Sequence, residues 1–461
     1  MFKKSKNKRI LHRHWFLRFF PIELFDRLKV QQIKSMGFII TLFVIFLPLF
    51  IWLSYRPDSI LNPYIAVAKF SAFMAISTLS VNFILATRIK IFEKLFHGLD
   101  RLYRVHKLIG RLSLFFMILH PLFLGINTIP NWEIIISYVI PTGPIEVSLG
   151  IVAIYLFLLL IALTVALIIP YHWWKKSHQI LGLTLIFAGL HAIFAGSDIN
   201  SYYYLKVWVV FICTVGTISW LYMLLFYKRL GPRYTVSILK VKMMGDITEI
   251  TLEKPRGFIS QPGQFLFIRF PHLRKNKELF PFSLSNDPSQ KTIRLSIKKS
   301  GDYTRTHIPQ IKPGDPAIIM GPYGRFGERY LKHDKDMIWI AGGIGITPFL
   351  SLAKHESIHP TDRNIDLVWV IKNKNEAFHD HELINETKRN SKFSYVHWFS
   401  DKKGRITAHN IIRQIGGRDE VKKRIVFLCG PPGLMYALAK GLHKYGIPYR
   451  HIVFEDFNML D

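Results

Sequence analysis

Four histidines in two matched pairs are the residues best placed to do chemistry. His106 and His120 stand 14 residues apart in the apolar stretch "RVHKLIGRLSLFFMILHP", and His178 and His191 stand 13 apart in "SHQILGLTLIFAGLHAIFAG". Imidazole is unfavourable in lipid unless something uses it. A buried membrane histidine can be a structural hydrogen-bonding group or part of a proton path. It is also a strong axial ligand for haem iron. At about 1.5 Å rise per residue, each pair spans roughly 20 Å. Two neighbouring helices then offer two layers, His106 with His178 and His120 with His191. This doubling favours two bis-histidine haems over four separate structural roles. With both axial positions filled, such haems transfer electrons rather than bind oxygen at the metal. The helical phase sets a condition. At about 100° per residue, 14 residues return to within about 40° of the starting face, whereas 13 leave the second histidine about 140° away. The segment carrying His178 and His191 is therefore expected to tighten, to tilt or to hold its outer haem rotated, and Gly182 and Gly189 would permit this. His12, His14, His97 and His172 read as surface residues.

The helices that position these histidines have to cross a membrane. A crossing needs about 20 apolar residues. Six stretches qualify: 36–54, 64–87, 104–127, 145–169, 178–197 and 203–227. The loops "TRIKIFEKLFHGLDRLYR", "YHWWKKS" and "YKRLGPR" are basic, whereas "RPDSILN", "NTIPNWEIIISYVIPTGPIE" and "GSDINS" are poor in Lys and Arg. The basic loops predict the cytoplasmic side, with both termini on it. Residues 1–35 read as a basic interfacial segment carrying Trp15, Phe16, Phe19 and Phe20, without the apolar core of a cleavable signal peptide. The chain has 461 residues and a formal charge of +30. No zinc-finger, basic-zipper or RNA-binding motif accompanies that charge, which excludes nucleic acid and suits an anionic membrane surface or an anionic ligand. Two cysteines, Cys213 and Cys429, in different halves exclude a disulfide framework and a thiolate metal cluster.

After Gly231 the pattern changes to short alternating elements. In 231–325, "RYTVSILKVK", "ITEITLEK", "GQFLFIRF", "FSLSN" and "IRLSIKK" are strands between Gly, Pro and polar turns, which predicts a small antiparallel barrel. In 333–461, strands alternate with helices. "DMIWIAGGIGITPFLSLAKHE" is a buried strand, a turn carrying Gly342, Gly343 and Gly345, then a helix. Such a turn aims backbone N–H groups at a pyrophosphate. A second strand ends at Lys372 and Lys374; with Arg405 in "DKKGRIT" these are candidates for an adenosine 2′-phosphate, hence NADPH over NADH. "IVFLCGPPGLMYAL" ends its strand at Cys429-Gly430, where a cysteine taken alone reads as structural.

The histidine pairs, with "LDRLYRVHKLIGRL" and "HWWKKSHQILG", resemble the ferric reductase-like transmembrane domain shared by NADPH oxidases and ferric reductases. That resemblance implies two b-type haems, inner histidine paired with inner and outer with outer. "QPGQFLFIRF", "ELFPFSLSNDP" and "KKSGDYTRTH" resemble the flavin-binding barrel of the ferredoxin-reductase superfamily. The likeness implies that Pro281, Phe282 and Ser283 lie along the FAD isoalloxazine and ribityl chain, with Ser283 near N5. Gly301, Asp302, Tyr303 and Thr304 would meet the pyrophosphate. The position before Pro281 is usually His or Arg in that superfamily; here it is Phe280, so Lys298, Lys299 or Arg305 is expected to supply the charge. Thr347-Pro348 resembles its nicotinamide-nucleotide site. Cys429 would then pack by the nicotinamide and align hydride transfer, and Phe457 in "HIVFEDFNMLD" would cover the flavin.

The expectation is an integral protein of the cell membrane: a six-helix transmembrane bundle (36–228), an FAD-binding antiparallel β-barrel (231–325) and an α/β NAD(P)H-binding domain (333–461). Electrons would pass from cytoplasmic NADPH through FAD and two haems b to a small acceptor on the outer face. That acceptor is oxygen, giving superoxide, or ferric chelate. A ferric-chelate reductase without an oxidase role and an electron-delivery module for a quinone or a partner membrane protein are the alternatives. Membrane lipids are the other expected partner, and no motif implies a protein partner.

Overall fold

The structure, a computed structural model, describes residues 35–165, 171–231, 233–273 and 279–454. The basic segment 1–34 and Phe457 lie outside the described residues. The chain forms two compact units that divide mainly at Arg229–Leu230.

Among the described residues, the first unit holds six helices long and apolar enough to cross a membrane: α1 (Met36–Ser54), α2 (Pro63–Leu85), α3 (Leu99–Asn127), α4 (Ile145–Val165), α5 (Tyr171–Phe194) and α6 (Tyr203–Leu221). Side chains set the starts. Ser35 accepts from the Phe38 N–H. Asn62 accepts from the Tyr64 and Ile65 N–H groups ahead of Pro63, which needs no partner in the first turn. Two helices begin earlier than the apolar runs predict, α3 at Leu99 and α5 at Tyr171. The polar stretches before them contain no helix breaker, and the Trp174 indole N–H donates to the Thr164 carbonyl of α4 at 3.1 Å. His106 and His178 thus each lie seven residues inside their helices. Pro121 directly follows His120 within α3. Lacking an N–H, it cannot bond to the Met117 carbonyl.

Helix α5 is α-helical without interruption between its two histidines, so the expected local tightening does not occur. Its glycines serve packing instead. A Cβ at Gly182 would sit 2.1 Å from the Trp220 ring, and one at Gly189 3.4 Å from Cys213 Sγ. Small residues let membrane helices approach where larger ones would hold them apart.

The second unit carries two sheets. The antiparallel one has β1 (Arg233–Met244), β2 (Ile247–Glu253), β3 (Phe265–Arg269), β4 (Phe280–Ser283), β5 (Thr292–Lys298) and β6 (Pro316–Tyr323), in the order β4-β3-β6-β1-β2-β5. Its strand order is open rather than the closed barrel expected. The two edge strands meet only beyond β4, at a single bridge between Leu284 and Leu295. The β1–β2 hairpin turns in two residues because Gly245 takes φ +56°. A short helix, α7 (Asp302–Thr306), follows β5.

The parallel sheet has β7 (Met337–Gly342), β8 (Ile365–Ile371), β9 (Phe393–Phe399), β10 (Ile425–Cys429) and β11 (Ile452–Phe454), ordered β11-β10-β7-β8-β9. Every residue of β7 and β10 is buried, as a sheet covered on both faces requires. Helices α8 (Thr347–Ile358), α9 (Asp380–Arg389) and α10 (Pro432–Lys444) lie between its strands in the chain. The chain leaves β7 first toward β8 and β9, then returns to its other side for β10. Strand order therefore reverses at β7/β10, the place where open α/β sheets bind ligands.

Candidate functional site

In the membrane unit, four histidines meet in two pairs. The ring centres of His106 and His178 are 6.1 Å apart, and those of His120 and His191 are 6.2 Å apart. The interplanar angles are 63° and 60°. Three of the rings are held by backbone carbonyls. Nδ1 of His106 contacts the Asn82 carbonyl at 3.1 Å, Nδ1 of His120 the Ala68 carbonyl at 2.9 Å, and Nδ1 of His191 the Glu146 carbonyl at 2.8 Å. A carbonyl only accepts, so each Nδ1 carries the proton and each Nε2 keeps its lone pair. His178 lacks such a bond: its Nδ1 is buried without a partner, and its ring stacks on Trp174 at 5.3 Å and 7°.

These distances test a metal between the rings. A metal–imidazole bond of about 2 Å on each side, with about 1.1 Å from ring centre to Nε2, sets paired ring centres about 6 Å apart. Both pairs fit. Gly150 of α4 adds a close approach, since a Cβ there would stand 2.8 Å from Nδ1 and 2.9 Å from Cγ of His191.

In the antiparallel sheet, Pro281 pairs with Phe267, Phe282 with Leu266 and Ser283 with Phe265. Ser283 is buried, whereas Pro281 and Phe282 are half-buried. Phe280 stacks on Tyr303 with ring centres 4.0 Å apart. The aromatic that replaces the usual basic residue thus reaches the loop expected to hold a pyrophosphate. In that loop the Ser300 and Gly301 N–H groups donate to the Thr304 hydroxyl at 2.9 and 3.1 Å, so both converge on one point.

In the parallel sheet, the glycine turn and the Cys429-Gly430 end of β10 meet at the reversal of strand order. A Cβ at Gly345 would lie 2.4 Å from the Cys429 carbonyl oxygen, and one at Gly342 2.9 Å from the Pro431 ring. Gly342 and Gly345 therefore also admit the neighbouring strand end. Gly343 differs: it takes φ +54°, and a Cβ there would meet nothing. Thr347 and Pro348 are buried in the first turn of α8, with the Thr347 hydroxyl donating to the Ile344 carbonyl at 3.1 Å. Cys429 is buried. Lys372 and Arg405 are exposed on adjoining loops, joined where the Asp401 N–H donates to the Lys372 carbonyl at 3.1 Å.

Ion pairs tie the two sheets together. Arg294 of β5 binds Glu382 of α9 at 2.6 Å, and His355 of α8 contacts Asp287 at 2.9 Å. Burial alone would raise the Glu382 pKa, but His379 and Arg294 hold it down at about 2.

Residues 71–189 match the family described as the ferric reductase like transmembrane component. Residues 233–325 match an FAD-binding domain, and 339–440 an oxidoreductase NAD-binding domain. The chain thus joins a ferric reductase-like transmembrane domain to an FAD-binding and an oxidoreductase NAD-binding domain. This oxidoreductase is 32% identical over 213 residues to flavohemoprotein A of Dictyostelium discoideum, covering 43% of this chain and 53% of that one. It is 26% identical over 234 residues to respiratory burst oxidase homolog protein G of Arabidopsis thaliana, covering 44% and 27%. It is 24% identical over 210 residues to dual oxidase 1 of Sus scrofa, covering 42% and 13%. The matched part spans about half the length of the first of these relatives and less of the others.

Several residues of the oxidoreductase's membrane site were invisible to sequence reasoning. The carbonyls of Asn82, Ala68 and Glu146 carry no signal, because any residue type supplies one. Trp174 and Gly150 could have been found as an aromatic one turn from His178 and a glycine in an otherwise bulky apolar run.

Proposed function

We propose that this membrane oxidoreductase carries electrons from NADPH through FAD and two bis-histidine haems b to a small acceptor on the opposite face, either oxygen, giving superoxide, or ferric iron. The two histidine pairs at ligand-sandwich spacing carry this reading. Haem, flavin and nicotinamide would supply the redox chemistry when bound. The chain supplies position. His106 with His178 would hold the inner haem, and His120 with His191 the outer one. The Asn82, Ala68 and Glu146 carbonyls fix the tautomer and ring orientation of three ligands and raise their basicity. With all four imidazoles committed as haem ligands, they would leave no position at either metal for a small acceptor.

In the soluble unit, Pro281, Phe282 and Ser283 would line the flavin, while Gly301, Asp302, Tyr303 and Thr304 meet its pyrophosphate. The stacked Phe280–Tyr303 pair gives that contact an aromatic character. Gly343, with open space before it, offers its backbone to the dinucleotide beside Gly342, Gly345, Thr347 and Pro348. Cys429 and Gly430 face it from β10. Lys372 and Arg405 supply positive charge for a 2′-phosphate, and Phe457 would cover the flavin. The basic loops favour a cytoplasmic NADPH side.

The test is an absorption spectrum of purified protein with and without NADPH. We expect b-type haem and flavin bands, with haem reduced on addition. Superoxide dismutase-sensitive dye reduction and ferrous-chelator formation in the same sample then identify the acceptor. Protein without a haem band refutes the proposal.

A further inference from the structure

The connection between α3 and α4 is apolar, and one hydrogen bond fixes its depth. The hydroxyl of Tyr155, in α4, donates to the Val139 carbonyl at 2.7 Å. Tyr155 stands ten residues into α4, which begins at Ile145. Ten residues descend about 15 Å, and a helical tyrosine points back toward the N-terminus by at most about 6.5 Å. Allowing for the hydrogen bond itself, the Val139 carbonyl lies at least about 6 Å below the first residue of α4, level with the opening turns of a membrane-spanning helix. The chain leaves α3, dips back beside α4, and climbs again to start it.

Two further features suit that depth. Trp132, Ile134, Ile136, Val139, Ile140 and Ile145 are all exposed, Trp132 by 67% and Ile136 by 51%. Glu133 is the single charged residue from Asn131 to Pro144. Most of the segment's backbone N–H groups are hydrogen-bonded locally, as lipid favours. Trp132–Ser137 is a short helix whose first turn is capped by the Asn131 side chain, accepting from the Ile134 N–H at 3.3 Å. The N–H groups of Tyr138, Val139 and Ile140 donate back to Ile135 and Ile136, and the Ser137 hydroxyl donates to Ile134. The Val139 carbonyl, beyond that helix, is the one Tyr155 satisfies.

We propose that Asn131–Ile140 is a re-entrant segment immersed in the leaflet at the His120/His191 end of the bundle, its partner the lipid acyl chains. It lies on α4 opposite Glu146, which is nine residues, about half a turn in phase, from Tyr155 and bonds His191 on the other side. The segment thus backs the helix that holds the outer histidine, shielding that stretch of α4 from direct lipid contact.

The experiment places a nitroxide at Ile136→Cys in full-length protein in vesicles and measures collision with oxygen and with a water-soluble nickel chelate. Native Cys213 and Cys429 are buried, so labelling is selective. Lys291→Cys, exposed on the soluble unit, is the aqueous control, and Phe115→Cys, exposed midway along α3, the lipid control. The proposal expects the Ile136 label to match Phe115→Cys, with nickel collisions about tenfold below Lys291→Cys and oxygen collisions high. In Tyr155→Phe the nickel collisions at Ile136→Cys should rise toward the aqueous value. Nickel access equal to Lys291→Cys in the parent overturns the proposal. Exclusion of both quenchers also overturns it, in favour of cover by a second copy or another protein.

Discussion

Gly150→Ala gives the sharpest test of the outer histidine pair, because it adds one methyl group and removes no ligand. The new Cβ would stand 2.8 Å from Nδ1, 2.9 Å from Cγ and 3.0 Å from Cδ2 of His191. Ordinary carbon contacts lie near 3.5–4.0 Å, so the ring must retreat by about 0.7 Å. Cγ is the root of the ring, so rotating the ring does not relieve the contact; the whole side chain has to swing. That swing also stretches the 2.8 Å bond to the Glu146 carbonyl. Metal–ligand distances tolerate about 0.2 Å, several times less than the shift. The outer site should then lose its haem or hold it with one weak axial ligand, while the inner pair at 6.1 Å is untouched. The assay is a pyridine haemochrome count per flavin together with the low-spin absorption bands. We expect the haem-to-flavin ratio to fall from two toward one, or half of the low-spin signal to convert to high spin. Two fully low-spin haems in this variant would refute the argument that Gly150 sets the position of His191.

Three other outcomes follow from the same geometry. His120→Ala should halve the haem content and stop reduction of external acceptors while NADPH still bleaches the flavin; retention of both haems would show the pairing to be wrong. Arg405→Ala should lower kcat/KM for NADPH by roughly ten- to a hundredfold, the loss of one charge-assisted hydrogen bond of about 1.5–3 kcal/mol, and leave NADH nearly unchanged; a parent enzyme that prefers NADH removes the premise. Glu382, held at about 2 by His379 and Arg294 against the effect of burial, has a folded pKa below its unfolded one. Its stabilisation is thus full above about pH 4.5 and fades as pH falls toward 2. Glu382→Gln should be less stable than the parent at neutral pH and flatter between pH 4.5 and 2 in denaturant midpoint; parallel curves would disprove that linkage.

Local periodicity and residue type made much of this protein legible. Long apolar runs marked six crossings because a lipid-spanning helix must be apolar over its length. The strand "IVFLC" showed itself as a continuous apolar run and the turn at Gly342–Gly345 by glycine where a strand enters a helix, whereas the strand expected at "FSLSN" begins two residues earlier, at Phe280. His106, His120, His178 and His191 stood out because imidazole in lipid is costly. Helix starts were misplaced at α3 and α5, where polar residues hid helical turns that only packing revealed.

What the sequence alone determined were properties carried by a residue and its near neighbours: the crossings, their basic flanks, the four histidines and the order of the nucleotide-binding motifs. Tertiary structure decided everything that joins distant parts of the chain. It chose the carbonyls of Asn82, Ala68 and Glu146 as histidine partners, although any residue type supplies a carbonyl. It set Gly150 against His191 and Gly345 against Cys429, since a glycine's use depends on what approaches it. It also kept α5 unbroken through a 13-residue spacing that straight-helix arithmetic disfavours. The reason is physical: a repeat along the chain records which face of an element is apolar, whereas a ring's position depends on the helices packed around it.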